Sequence, residues 1–259
     1  MSALAASIAG IGWWSGGLPD WASARAFATT GVLPADAPAR PAPQLLAANE
    51  RRRAPPSVLV ALEVALAACR DAGREPATLP SVFASTHGDL GITDYMCATL
   101  ADTPADISPT KFHNSVHNAA AGYWTIGSGC LRPATAISAH RASFAQGLLE
   151  ALAQLAVGAE AVLLAGYDTA ASGLLSTVTR SEGLLGAALV LVRDGAGPRL
   201  HARLDDGVAA PGDGPLAARS AGNAMAPMLP LFDALATRAG AAALHAGPGR
   251  RLAIDLVHG

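Results

Sequence analysis

The residues best placed to do chemistry are Ser138-Ala139-His140-Arg141-Ala142-Ser143, which follow a short apolar run, Ala134 to Ser138, and open a helical pattern from Arg141 to Val157. A strand that turns sharply into a helix presents the first helical residue at a pocket floor, where the helix dipole favours an anion or a thiolate. That is a place for a nucleophile. No Cys, Ser or Thr stands where the turn enters the helix. The architecture predicts a catalytic elbow, and its occupant predicts that the chemistry has been removed.

The elements that hold this elbow fill the stretch from Lys111 to Asp168. Its small residues predict a buried helix from His117 to Gly127, then the strand, the turn, the long helix and a second strand from Ala161 to Ala165. His113, Asn114, His117 and Asn118 form the densest polar group in this apolar region. Two His at i and i+4 share a helical face and would suit a metal, but no third Cys, Asp or Glu ligand is close in sequence. A buried polar network at a subunit interface explains them better.

Along this stretch the chain resembles the β-ketoacyl synthases of the thiolase superfamily, and more closely their Cys-less partners, the chain-length-factor-like proteins of polyketide and aryl-polyene assembly. Asn118, Ala121, Gly122, Ile126, Gly129 and Pro133 match the pattern N-x-x-A-G-x-x-S-I-x-x-G-x-x-G-P, and Ala142-Ser143 match the end of T-A-C-A-S. On that register Arg141 stands at the nucleophile position. Ala165-Gly166-Tyr167-Asp168 is similar to the family's A-x-x-x-I-x-x-G-x-x-D segment.

The resemblance implies an α/β, thiolase-like, layered αβαβα fold in a single domain. Residues 1–195 would correspond to the family's first half and residues 196–259 to a shortened second half. It also implies that Phe112, His113, Asn114, His117, Asn118, His140 and Arg141 lie at a subunit seam. Tyr95, Met96 and Leu100 become candidates for the distal wall of an acyl tunnel, although core packing is the commoner fate of such residues. Two catalytic His loops are missing: no H-G-T-G-T occurs, and Asn223 in Ser220-Ala-Gly-Asn223 stands where G-H-T has its His.

Condensation needs a thiolate, an oxyanion hole and His groups. Arg141 never deprotonates, and Asn223 cannot exchange a proton near neutral pH as imidazole does. The expectation is a subunit inactive alone, without cofactor, that pairs with a ketosynthase and shapes its acyl tunnel, with an acyl carrier protein as a further partner. Arg141 would pair with a carboxylate of its own fold or of the partner. The rival from another class is an independent acyltransferase or hydrolase using Ser138, Ser143 or Cys130 with a His. A homodimeric acyl-binding scaffold is a third reading.

Composition sets the bounds. In 259 residues, 51% hydrophobic against 15% charged gives ample core, and a net charge of -2 offers no electrostatic reason for nucleic acid or an anionic membrane as partner. Cys69, Cys97 and Cys130 lie far apart, so neither a disulfide framework nor a zinc site is indicated, and a reducing cytoplasm fits. No apolar run is long enough to span a bilayer, and the N-terminus carries no leader pattern.

The remaining motifs read as structure. Gly10-Ile-Gly12 imitates a dinucleotide fingerprint, but the next glycine is misplaced, Trp13 and Trp14 occupy the expected turn and no helix is evident after it. The Arg51 to Arg53 run is a solvated face or a dock for an acidic carrier. Ser57 to Arg70 predicts a helix that buries Cys69, Ser81 to Ser85 a strand, and Asp89 to Leu100 a helix. Ser108-Pro-Thr-Lys111 imitates the S-x-x-K of serine acyl-enzymes, but Pro109-Thr110 predicts a turn. Leu184 to Val192 and Leu200 to Leu204 read as adjacent strands joined at Asp194-Gly195, and Arg251 to Val257 as the last core strand.

Overall fold

The computed structural model describes residues 4–259. Strand β1, Leu4–Ser15, opens the chain, and its twelve residues carry both Trp13 and Trp14 into the core, so the indoles are strand residues and not a turn. Helix α1, Trp21–Thr30, follows where no helix was expected. Its signal is a capping box, with the Asp20 carboxylate accepting from Ser23 N at 2.7 Å and the Ser23 side chain facing back to Asp20. Helices α2, Ala48–Arg53, and α3, Pro56–Asp71, precede β2, Ser81–Ala84.

Next come α4, Leu90–Asp102, α5, Pro109–Asn114, and α6, Ala119–Ser128. Strand β3, Ala134–Ile137, passes through a tight turn at His140–Ala142 into α7, Ser143–Ala156. Strands β4, Ala161–Thr169, β5, Leu184–Val192, and β6, Arg199–Asp206, lead to α8, Pro215–Arg219, and α9, Leu229–Thr237. The hairpin of β7, Ala241–Gly247, and β8, Arg250–Val257, ends the chain.

All eight strands lie in one mixed sheet in the order β3-β2-β4-β5-β1-β6-β8-β7. β2 runs parallel to β3 and β4, and every other pairing is antiparallel. The expected adjacency of β5 and β6 does not hold, because β1 runs between them. Ser7 pairs with Val192 on one side and with Arg199 on the other, and the connecting loop crosses the strand, with Ile8 N donating to the Pro198 carbonyl at 2.8 Å.

Strands β4 and β5 read as nearly unbroken apolar runs because both of their faces are covered. On one face Phe83, Leu163, Ala165, Ala188 and Val190 pack against α3 and α6. On the other, Val82, Leu164, Leu189 and Leu191 pack against α7, with Phe144, Leu148 and Phe232 of α9 in the same cluster. Leu244, Leu252 and Ile254 of the β7-β8 limb belong to that cluster too, and α7 touches β2, β4, β1 and β7. The sheet therefore bends so that α7 lies between its two limbs, the layered α/β arrangement expected of a thiolase-like fold.

Glycine lets β1 approach α3. A Cβ on Gly12 would stand 1.9 Å from the Val64 carbonyl oxygen, and one on Gly10 2.4 Å from that of Ala68. The Gly10-Ile-Gly12 motif thus serves backbone packing, not a pyrophosphate. Cys69 is buried as expected, and burial pushes its thiol up to about 12, far from a reactive thiolate.

Candidate functional site

The elbow is built as a strand-to-helix turn, and its apex is His140. His140 has φ 51°, the left-handed region, one of only two non-glycine residues there among the described residues. A strained residue between strand and helix marks the elbow position itself. The strained backbone thus lies one residue before Arg141, the residue that the resemblance aligns with the nucleophile. Ser143 fixes the turn: its hydroxyl donates to the His140 carbonyl at 2.6 Å and accepts from Ala139 N at 2.9 Å.

This elbow does not lie at a pocket floor. Ser138, His140 and Arg141 are exposed, because β3 is the outermost strand and no strand flanks it on that side. Two amides at the start of the helix are engaged within the turn. Ala142 N–H donates to the Ala139 carbonyl and Ser143 N–H to that of His140. Arg141 takes part in none of the three ion pairs found among the described residues, so its expected carboxylate partner is not within this fold.

Beneath the apex lies a buried polar network. Asp168 accepts from Ser85 Oγ at 2.6 Å and from Thr86 N at 3.0 Å. Burial raises its carboxyl from an ordinary 3.8 to about 6 against the pull of those hydrogen bonds. Ser138 Oγ donates to the Thr86 carbonyl at 2.9 Å, tying the elbow to this loop. His117 Nε2 lies 2.9 Å from the Ser85 carbonyl. His87 in the same loop is pushed down by burial and then by His140 and His117, and His245 of β7 by burial and then by Arg141 and His140. Sequence reading did not connect His87 and His245 with the elbow. They lie about fifty and a hundred residues away from it, and only β2 and β7 bring them alongside.

Asn223 is a clamp. Buried, it donates through Nδ2 to the carbonyls of Glu182 at 2.9 Å and Asp168 at 3.3 Å, and accepts from Met225 N at 2.9 Å. All its polar capacity is committed to holding three backbone segments together.

The helix expected from His117 to Gly127 is α6, which starts two residues later than expected. α5 ends at Asn114 and α6 begins at Ala119, so His113 and His117 do not share a helical face. His113 stacks edge-on against Tyr123 at 5.9 Å, and Asn114 is buried. Among the described residues no group of three His, Cys, Asp or Glu is placed to hold a metal. Phe112 at 62% exposure, Val116 at 50%, Ile126 at 80% and Leu131 at 98% are exposed apolar residues of the stretch that leads into β3, and exposed Asn118 lies with Ala121 and Thr125 beside Ala134 and Ala136 of β3.

The tunnel candidates are not core residues, because α4 buries only Leu90 and Ile92. Tyr95 is half-buried and its hydroxyl accepts from Ser108 N at 3.1 Å, Met96 is half-buried, and Leu100 is 54% exposed. Ser108-Pro-Thr-Lys111 is the start of α5 and not a loose turn, with Ser108 as N-cap and Pro109 in the first turn. The Lys111 ammonium lies over the Tyr95 ring at 5.7 Å, which is not the Ser–Lys arrangement of an acyl-enzyme. The rival nucleophiles are engaged as well: Ser138 and Ser143 bond to carbonyls, and buried Cys130 donates to the Leu79 carbonyl at 3.4 Å.

Solved structures with the same fold include a chain from the complex of the ketosynthase ApeO with its chain length factor ApeC from Xenorhabdus doucetiae. It is 22% identical with a TM-score of 0.77, over 97% of this chain and 99% of that one. A chain of the ishigamide ketosynthase/chain length factor is 15% identical with a TM-score of 0.73, over 98% and 99%. A chain of AntDE:AntF, a type II acyl-carrier protein in complex with its ketosynthase, is 13% identical with a TM-score of 0.74, over 99% of both chains. No curated protein sequence matches. The profile described as the β-ketoacyl synthase N-terminal domain matches residues 21–249. The thiolase-like sheet, the elbow after β3 and this match agree: the chain belongs to the β-ketoacyl synthase N-terminal domain family.

Proposed function

We propose that this chain is the non-catalytic, chain-length-factor-like subunit of a heterodimeric ketosynthase in aryl-polyene or polyketide biosynthesis. In this reading residues 1–195 correspond to the family's first half and residues 196–259 to a reduced second half. The observation that carries the proposal is the elbow, which holds exposed His140 and Arg141 and no Cys, Ser or Thr at the turn into the helix. Such an elbow cannot form the thioester that condensation requires, even though the frame for one is intact.

The partner face is the unpaired edge of β3 together with the exposed apolar residues Phe112, Val116, Ile126 and Leu131 of the preceding stretch. A free strand edge beside exposed apolar side chains favours association, because pairing satisfies backbone groups and burial removes apolar surface from water. The partner covers this face, supplies the thiolate and takes up Arg141. Exposed Leu100 and half-buried Met96 complete the wall of its tunnel.

Co-expression with a ketosynthase encoded nearby should yield a stable one-to-one complex whose product shortens when Leu100 is replaced by Trp. The separate chain should show no condensation, with or without Arg141→Cys. Acyl labelling of the chain alone, or an unchanged product with Leu100→Trp in an intact complex, overturns the respective parts of this reading.

A further inference from the structure

The stretch proposed to meet the partner carries charge of one sign only. No Asp or Glu stands between Asp106 and Glu150, whereas Lys111, Arg132 and Arg141 do, together with His113, His117 and His140, in a chain whose net charge is -2. The two arginines sit at the two ends of one strand edge. Exposed Arg132 lies two residues before β3, and exposed His140 and Arg141 follow β3 in the turn into α7, so a cation flanks each end of the unpaired strand. Neither arginine takes part in an ion pair among the described residues. Asp168, beneath the elbow, is buried and accepts from Ser85 and Thr86, and His245 of β7, which packs against the turn, adds a group of the same sign.

Apolar burial does not choose between partners. The exposed Ile126 and Leu131 would be covered as well by a second copy of this chain as by another protein. Charge does choose. Two copies joined edge to edge about a two-fold axis run antiparallel, because an axis across the strands reverses one of them. Centred on β3, that pairing brings Arg132 of each copy beside His140 and Arg141 of the other, so like charges meet at both ends of the ladder.

We propose that the β3 edge is charged against its own copy and accepts a non-identical protein whose facing strand edge carries Asp or Glu at both ends. The proposal rests on the reading of this chain as a ketosynthase subunit, and adds to it what the partner presents. The apolar residues supply affinity. The flanking cations supply specificity, since like charges oppose the wrong pair and opposite charges steer the right one.

Sedimentation of the chain alone, and its titration with the ketosynthase encoded nearby, test the two parts. The parent chain should stay monomeric at low salt. Arg132→Glu, on an exposed residue, makes the edge complementary to itself, so this variant should dimerise, and its dimer should weaken as salt screens the new attraction. Against the ketosynthase, Arg132→Glu and Arg141→Glu should each raise the Kd about tenfold or more at low salt and far less at high salt. A monomeric Arg132→Glu variant, or a parent chain that pairs with itself as tightly as with the ketosynthase, overturns the exclusion of a second copy. Ketosynthase binding unchanged in both variants overturns the acidic partner. If no ketosynthase binds the parent chain at any salt concentration, the subunit reading fails and the acidic partner with it, while the Arg132→Glu dimer still decides whether the edge rejects its own copy.

Discussion

The two limbs of the sheet stand in different surroundings. In the β2-β4-β5 limb the strands are buried on both faces, and eight consecutive residues of β4 are out of water. In the β6-β8-β7 limb burial alternates: Leu200, Ala202, Leu252, Ile254 and Leu244 point into the core. Their neighbours form outer rows, His201 beside Asp255 and Asp205 beside Arg251 with His245. The first limb needs helices on both sides, whereas the second is closed against water by its own polar side chains. The β6-β8-β7 limb thus turns polar side chains outward where the other limb carries helices.

If that contrast is right, the largest effect comes from adding one carbon where β1 meets α3. Gly12→Ala should cost about 4 kcal/mol or more, because the new methyl falls on the Val64 backbone carbonyl and not on a movable side chain. Gly16→Ala, four residues on with nothing within 4 Å of the new carbon, should stay within about 1 kcal/mol. Urea denaturation of the two variants checks this, and equal costs would mean that β1 and α3 are not tightly packed.

Much of this division was legible in the sequence. The unbroken apolar run Leu184 to Val192 and the Ser57 to Arg70 helix announced the doubly covered limb, and strand, turn and helix around the elbow fell where the pattern put them. What the sequence hid was neighbourhood. Proximity in the chain suggested a β5-β6 hairpin, yet β1, nearly two hundred residues earlier, takes the place between them. The backbone conformation of the elbow was hidden for a different reason. Ala142-Ser143 fits the family pattern on residue type, while the position of the apex is a backbone property, φ 51° at His140, that residue types do not encode. The later start of α6, at Ala119 and not His117, was hidden for the same reason, since His117 turns its ring to the Ser85 carbonyl, 32 residues away in the chain.

A smaller effect tests the polar network inside the covered limb. Folding raises the Asp168 pKa from 3.8 to about 6 through burial, so between those values the folded chain keeps a proton that the unfolded chain has released. The stability this group contributes is fully present below about pH 4, declines as pH rises to about 6 and is flat above it. The loss is about 2 to 3 kcal/mol, since raising a pKa by one is worth about 1.4 kcal/mol. Asp168→Asn removes the titration, so the difference in unfolding free energy between variant and parent should change by that amount between pH 4 and pH 7. A constant difference would show that Asp168 is better solvated than the burial of β4 implies.

The smallest effect belongs to the wet limb, and its smallness is the point. Arg203 and Asp205 form an ion pair at 2.8 Å on the outward side of β6. Exposed pairs of this kind contribute little, since water already solvates both charges and holding two side chains in one geometry costs entropy. Arg203→Ala should therefore leave the thermal midpoint within about 2 °C of the parent. Arg203→Leu should do the same in dilute solution but promote self-association as concentration rises, because it places an apolar group on a face kept free of them. A large drop in the midpoint of the alanine variant at low concentration would mean that this face is packed against something, and the second limb would then resemble the first.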